Sequence, residues 1–198
     1  VYEGLSQLPQ QVQKSWFGFD HFYSDHSFDQ ALEIVFSSGK TRTLLDVGGN
    51  TGRWAQRCVA HDKAVEVTIL DLPQQIELMK QATKDAPGSD RIDGRGINLL
   101  DATAPFPVDK HWDAIWMSQF LDCFSEEEIV SILSRAAKAM DADSRLYIME
   151  TLWDRQRFEP AALCLTLTSV YFTAIANGNS KMYHSEDLQR LVEKASLV

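Results

Sequence analysis

Hydrophobic positions along the chain change rhythm several times, and each change marks an element. Thr43-Leu44-Leu45-Asp46-Val47 is a short apolar run with one acid inside it, followed by a glycine-dense turn and helix-forming residues from Arg53 onward. A buried parallel strand that ends in a tight turn and feeds a helix is written this way. Residues 53–61 then place Trp54, Ala55, Cys58 and Val59 on one helical face. Residues 65–72 form a second expected strand, and Pro73 suits the first position of the next helix. A third strand is expected over 96–100, ending at Asp101. A fourth is expected over 113–120, leading into Leu121-Asp122-Cys123-Phe124. Ser125 with Glu128 three residues on makes a capping box, and Ile129, Ile132, Leu133, Ala136, Ala137 and Met140 follow as a buried stripe. A fifth strand over 145–149 ends at Glu150. Helices are expected over 160–176, with Gly178 just beyond, and over 185–195. Residues 1–40 read as a helical, aromatic-rich segment leading into a domain over 41–198. Trp16, Phe17, Phe19, Phe22, Tyr23 and Phe28 supply a layer packed on the sheet, and a few of them could wall a site.

Strands alternating with helices in this order give an α/β fold with a doubly wound, mostly parallel sheet. Ligands of such sheets bind outside the carboxyl ends of the strands, at the switch point. Gly48, Asp71, Asp101, Asp122 and Glu150 all fall at those expected ends. Gly48, Gly49 and Gly52 let the turn bend sharply and approach a ligand closely, and the following helix offers free N–H groups in its first turn. A dinucleotide fingerprint G-x-G-x-x-G fails here, because counting from Gly48 the third position is Asn50 and the sixth is Arg53. That disfavours an NAD-dependent oxidoreductase. Asp71, at the end of the second strand, is placed to accept hydrogen bonds from the ribose hydroxyls of a nucleoside lying over the sheet.

Composition narrows the partners. The chain has 198 residues, 44% of them apolar, enough for one substantial core. A net charge of -9 opposes nonspecific binding to nucleic acid or to an anionic membrane. No apolar run has the length of a membrane span. Cys58, Cys123 and Cys164 are odd in number, scattered and without metal-type spacing, which fits free thiols in the cytoplasm and no metal.

Several segments together resemble the plant-type (caffeate and hydroxyindole) small-molecule O-methyltransferases and their bacterial relatives. These are Phe22-Tyr23-Ser24-Asp25-His26-Ser27, Leu45-Asp46-Val47-Gly48-Gly49-Asn50-Thr51-Gly52, Leu70-Asp71-Leu72-Pro73, Leu100-Asp101 and residues 120–128. The pairing of D-V-G-G-x-T-G with D-L-P about two dozen residues later carries most of the resemblance. It implies a Rossmann-like catalytic domain that binds S-adenosyl-L-methionine (SAM) and releases S-adenosyl-L-homocysteine, methylating a hydroxyl of a small aromatic or polyketide-like acceptor. Asp46, Gly48, Gly49 and Gly52 would hold the methionine end, with Ser27 near the carboxylate. Asp71 and Leu72 would serve the ribose, and Asp101 and Ala102 the adenine. Met117 and Ser118 would lie against the cofactor, where the family often has a lysine. Tyr23, Phe120 and Cys123 would line the acceptor pocket, with Trp116, Phe124 and Tyr171 as further walls.

The resemblance departs most at the base. The family usually has a histidine where this chain has Asp122, with an acid after the fifth strand, here Glu150, to orient it. A second orienting acid falls on Ser185, next to His184. Asp122 is therefore the candidate base with Glu150 as its partner. Against it stands a loop or cap role for Asp122, with catalysis resting on positioning or on His184 or His26. A SAM-binding protein that does not methylate is the rival reading. The family also carries an N-terminal dimerisation domain and two final strands that this chain lacks, so it reads as a fragment, with a homodimer compatible with the full-length protein.

Overall fold

The computed structural model describes residues 9, 11, 12, 15, 24–176 and 179–197. Five parallel strands form one sheet in the order β3-β2-β1-β4-β5. They are β1 (Thr43–Val47), β2 (Glu66–Asp71), β3 (Ile92–Gly96), β4 (Ala114–Ser118) and β5 (Arg145–Met149). Over residues 24–176 and 179–197 the α-helices are α1 (Phe28–Val35), α2 (Arg53–His61), α3 (Pro73–Thr83), α4 (Glu126–Lys138), α5 (Glu159–Tyr171) and α6 (Ser185–Lys194). The order reverses between β1 and β4, which makes the carboxyl ends of those two strands the switch point.

Side chains alternate across each strand, so register decides which layer a residue joins. Asp46 lies opposite Ile69 on one side and Trp116 on the other; Val47 lies opposite Leu70 and Met117. Leu44, Val67, Ile69, Ala114 and Trp116 pack with α1, α2 and α3. Leu45, Val47, Leu70, Ile115 and Met117 pack on the other face with α4 and α6. Both faces are covered, which is what an all-parallel sheet requires.

The third strand corrects the expectation. It occupies Ile92–Gly96, and residues 97–101 form the loop beyond it, so Asp101 is not at a strand end. Ile-Asp-Gly-Arg-Gly has poor strand propensity by itself. Its glycines are there for packing: a Cβ at Gly94 would lie 2.5 Å from Met79 Cε of α3. The expected helix over 160–176 is α5 followed by a wider π turn at Phe172–Ala176, and Gly178 lies outside the described residues. So do Trp16, Phe17, Phe19, Phe22 and Tyr23. The remaining strands and the last helix match within two residues at each end.

Local chemistry fixes several joints. Ser125 Oγ accepts from Glu128 N at 3.3 Å while Glu128 Oε2 accepts from Ser125 N at 2.7 Å, the anticipated capping box, which stabilises the start of α4 by about 1 kcal/mol. At the amino ends of the strands, Asp113 Oδ2 accepts from Arg42 N, Thr43 N and Thr43 Oγ1. His111 bridges Asp141 at 2.7 Å and Asp113 at 3.0 Å. Desolvation works against a charged His111, but the hydrogen bonds and charges of Asp141 and Asp113 outweigh it and raise its pKa. A raised pKa contributes stability that is complete below the unfolded value of about 6.5 and is lost as pH rises through the folded value. His111 is 43% exposed, so solvent screening limits the effect to a few tenths of a kcal/mol. Urea unfolding should therefore show wild type losing stability relative to His111→Gln as the solution goes from mildly acidic to mildly basic, less so in high salt.

Cys58, Cys123 and Cys164 are free thiols. Among the described residues no helix is long and apolar enough to cross a membrane, and no three His, Cys, Asp or Glu side chains gather as metal ligands.

Candidate active site

A cleft open to solvent lies over the switch point. Its lining comes from the end of β1 (Asp46), the glycine turn (Gly48, Gly49, Asn50), the start of α2 (Arg53, Trp54), the end of β4 (Trp116, Ser118, Gln119) and the segment entering α1 (Ser24, Phe28). Trp54 stacks on Trp116 with ring centroids 4.3 Å apart, and Phe28 tilts against Trp54 at 5.1 Å. These rings give one side of the cleft an apolar wall.

The turn itself is closely determined. Gly48 has φ +75°, and Asn50 has φ +51°. A Cβ on Gly48 would lie 2.3 Å from Phe120 Cδ2, and one on Gly49 would lie 2.5 Å from Asp46 Oδ2. Gly48 N donates to Leu70 O at 2.8 Å. Asp71 Oδ2 accepts from Asn50 N at 2.9 Å, and its Oδ1 accepts from Leu72 N at 2.7 Å. Asp71 thus pins the turn to the end of β2 through the backbone.

Asp46 is 2% exposed, and its Oδ2 has no hydrogen-bond partner. Burial, reinforced by the negative charge of Asp71, pushes its pKa up to about 8. A buried carboxyl without a partner is costly. Ser118 Oγ, on the same face of the sheet, is likewise buried and without a partner.

The expected site residues separate into groups. Asp46, Gly48, Gly49 and Ser118 line the cleft. Gly52 caps α2 with φ +81° and packs on Thr83, and Leu72 is the buried cap of α3. Neither lines it. Ser27 is half-buried at the start of α1, while Ser24 is the serine on the cleft wall. Met117, one residue from Ser118, turns to the opposite face and is wholly buried there. Asp101 and Ala102 are exposed in the loop after β3; the Asp101 carboxylate accepts from Thr103 N and Oγ1, which holds its pKa below the usual range. Tyr23 lies outside the described residues.

On the acceptor side, Asp122 sits in a 3-10 turn at Leu121–Cys123, with Cys123 half-buried beside it. Glu150 Oε1 accepts from Phe120 N at 2.9 Å and Leu121 N at 2.8 Å, gripping that turn by its backbone. A second segment straps it from outside. Lys181 N donates to Asp122 O, Ser180 Oγ to Cys123 O and Tyr183 Oη to Phe124 O. Phe120 and Phe124 meet edge to face at 4.9 Å. Trp116 lines the glycine-turn cleft instead of an acceptor pocket, Phe124 is core, and Tyr171 is exposed on α5. His184 Nδ1 accepts from Glu186 N, so it caps α6. The acid beside it is Asp154, whose carboxylate accepts from Ser185 N and Oγ.

Residues 24–196 match the model of the O-methyltransferase domain. The chain belongs to that family. Among curated relatives it is similar to O-methyltransferase pgmB of Aspergillus terreus, 29% identical over 153 residues, covering 77% of this chain and 43% of the relative. Among solved structures it resembles the apo form of the SAM-dependent methyltransferase SibL (TM-score 0.74, 22% identity), covering 98% of this chain and 55% of that one. It also resembles human N-acetylserotonin methyltransferase in complex with SAM (TM-score 0.66, 17% identity), covering 85% and 45%. The chain therefore spans about half the length of the proteins it matches, and the shared fold is that of SAM-dependent methyltransferases.

Sequence reasoning missed Ser24, Asn50, Arg53, Trp54 and Gln119 as cleft residues, while Phe28, from the aromatic cluster expected to supply site walls, does line the cleft. Trp54 was recognisable from its place one residue after Arg53 at the mouth of the turn. Gln119, at φ +48°, was not legible from its residue type.

Proposed function

We propose that this domain transfers a methyl group from SAM to a hydroxyl of a small, flat acceptor. The observation that carries the reading is the switch-point cleft, walled by glycine backbone and rings and lined also by Asp46, a buried carboxyl with one unpartnered oxygen. When bound, SAM supplies a methyl on a sulfonium, whose sulfur departs as a neutral thioether. Asp46 would hold the cofactor ammonium, and the close backbone at Gly48 and Gly49 would leave room for the amino-acid end. Asp71, besides pinning the turn from the end of β2, would hold the ribose hydroxyls. Asp101 and Ala102, exposed in the loop after β3, would serve the adenine. The Trp54–Trp116 wall excludes water from the methionine side. No metal is required for these steps, and the net charge of -9 favours small-molecule over nucleic-acid partners.

Glu150 and the 180–183 strap fix the turn that presents Asp122, and the proximity of the two substrates supplies much of the rate. Asp122 then takes the acceptor proton. A carboxylate is a weak base for a phenol, so its contribution lies at the low end of the 10²–10⁴-fold range typical of base catalysis, about 10²-fold. Single-turnover methylation of a phenolic panel with labelled SAM tests this. Asp122→Asn should slow methyl transfer about 10²-fold with SAM affinity unchanged; an unaltered rate from about pH 6 to 9 would remove Asp122 from the mechanism. The rival, a SAM binder that does not methylate, draws on Glu150 spending an oxygen on backbone N–H groups. Calorimetric binding of SAM with no product from any acceptor would favour it.

A further inference from the structure

Arg53 opens α2 where a cation is out of place. The first turn of a helix carries partial positive charge, and this one contains no acid of its own. Arg53 lines the cleft, and its guanidinium gives Nη1 to Asp25 Oδ2 at 2.5 Å. One turn further on, Arg57 pairs with Asp29 of α1, and that pair does not reach the cleft. The two pairs differ in what else is near. Lining the same cleft beside Arg53 are the glycine backbone at Gly48 and Gly49 and Asp46, a side chain 2% exposed whose Oδ2 has no partner, and the first turn of a helix leaves N–H groups without intrahelical acceptors. A positive corner and a carboxyl within one cleft match the two ends of an α-amino acid.

We propose that Arg53, steadied by Asp25, is the carboxylate anchor of the cleft, so that the cleft reads a zwitterionic amino-acid terminus with Asp46 facing its ammonium. The assignment rests on the sulfonium cofactor proposed above. Arg53 takes the role that the resemblance gave to Ser27. The guanidinium fork has donors to spare after its single bond to Asp25, and a carboxylate takes them two at a time.

The test is calorimetry with SAM and with decarboxylated SAM, which keeps the sulfonium, nucleoside and amine and lacks only the carboxylate. Wild type should bind SAM about 10–100-fold more tightly. Arg53→Gln should weaken SAM alone, bringing the two ligands to within about threefold, while Arg57→Gln, with a comparable melting temperature, should keep the wild-type ratio. Equal wild-type affinity for the two ligands overturns the anchor without needing any variant. So does an Arg53→Gln protein that loses both ligands alike, which would make Arg53 a strut between α1 and α2. Failure of wild type to bind either ligand is a different result and removes the cofactor reading itself.

Discussion

Gly48→Ala should leave a protein that is markedly less stable and no longer binds SAM. The new methyl would sit 2.3 Å from Phe120 Cδ2 and 2.9 Å from Cε2, at a backbone φ of +75°. Phe120 has little freedom to withdraw, because its own N–H is held by Glu150 Oε1 and its ring packs on Phe124. Left-handed backbone costs a non-glycine residue about 1–2 kcal/mol, and overpacking about 1–3 kcal/mol more. A total of about 3 kcal/mol is expected in urea unfolding. Gly39→Ala is the internal reference: φ is +64° there, and nothing lies within 4 Å of the added carbon. It should show the conformational cost alone, about 1 kcal/mol, with SAM titration unaltered. Similar losses from both substitutions would mean that Phe120 does not press on the turn.

Arg135→Leu should cost about as much by the opposite route, removing donors instead of adding bulk. Arg135 is a buried cation on α4 that gives Nη1 to Asp101 O and Ala104 O and Nη2 to Leu99 O, with Nε on Ser131 O. One side chain thus holds the first half of the loop between β3 and β4, residues 99–104, by its carbonyls. Hydrogen bonds from a charged donor contribute about 1.5–3 kcal/mol each, less than additively. Leucine should therefore destabilise by about 3–4 kcal/mol and speed amide exchange over residues 99–104. Lysine brings the charge without the fork and should recover only part of the loss. Unchanged exchange in the leucine variant would show that the loop is held by something else.

The contrast between these two sites also explains what the sequence disclosed. The glycine turn was legible because its constraint is backbone geometry, and only glycine meets it at Gly48. The capping box was legible because Ser125 and Glu128 satisfy each other three residues apart. β1 and β5 were legible as apolar runs. β3 was misplaced because its glycines answer to Met79 and Pro73 of another element, which no local pattern reveals. Met117 and Ser118 share the strand end where the family often has a lysine, whereas the pleat sends them to opposite layers. Asp101 was read as a strand end because it follows an apolar pair, and it belongs to a loop whose path is set by Arg135, more than thirty residues later. Ser24 and Arg53 reach the cleft through packing between α1 and α2, a tertiary fact with no periodic signature.

The alternation along β4 has a consequence for how such a domain is able to diverge. Trp116 and Ser118 look into one layer and Ile115 and Met117 into the other, with partners fixed on both sides by β1 and β5. Losing or gaining a single codon inside this strand would trade the two sets, driving an indole into the wrong layer and a thioether under the ligand. Lineages are thus free to vary what each position carries while the number of positions stays constant. New substrate preferences in this architecture should accumulate by replacement within the strands, with changes of length confined to the loops.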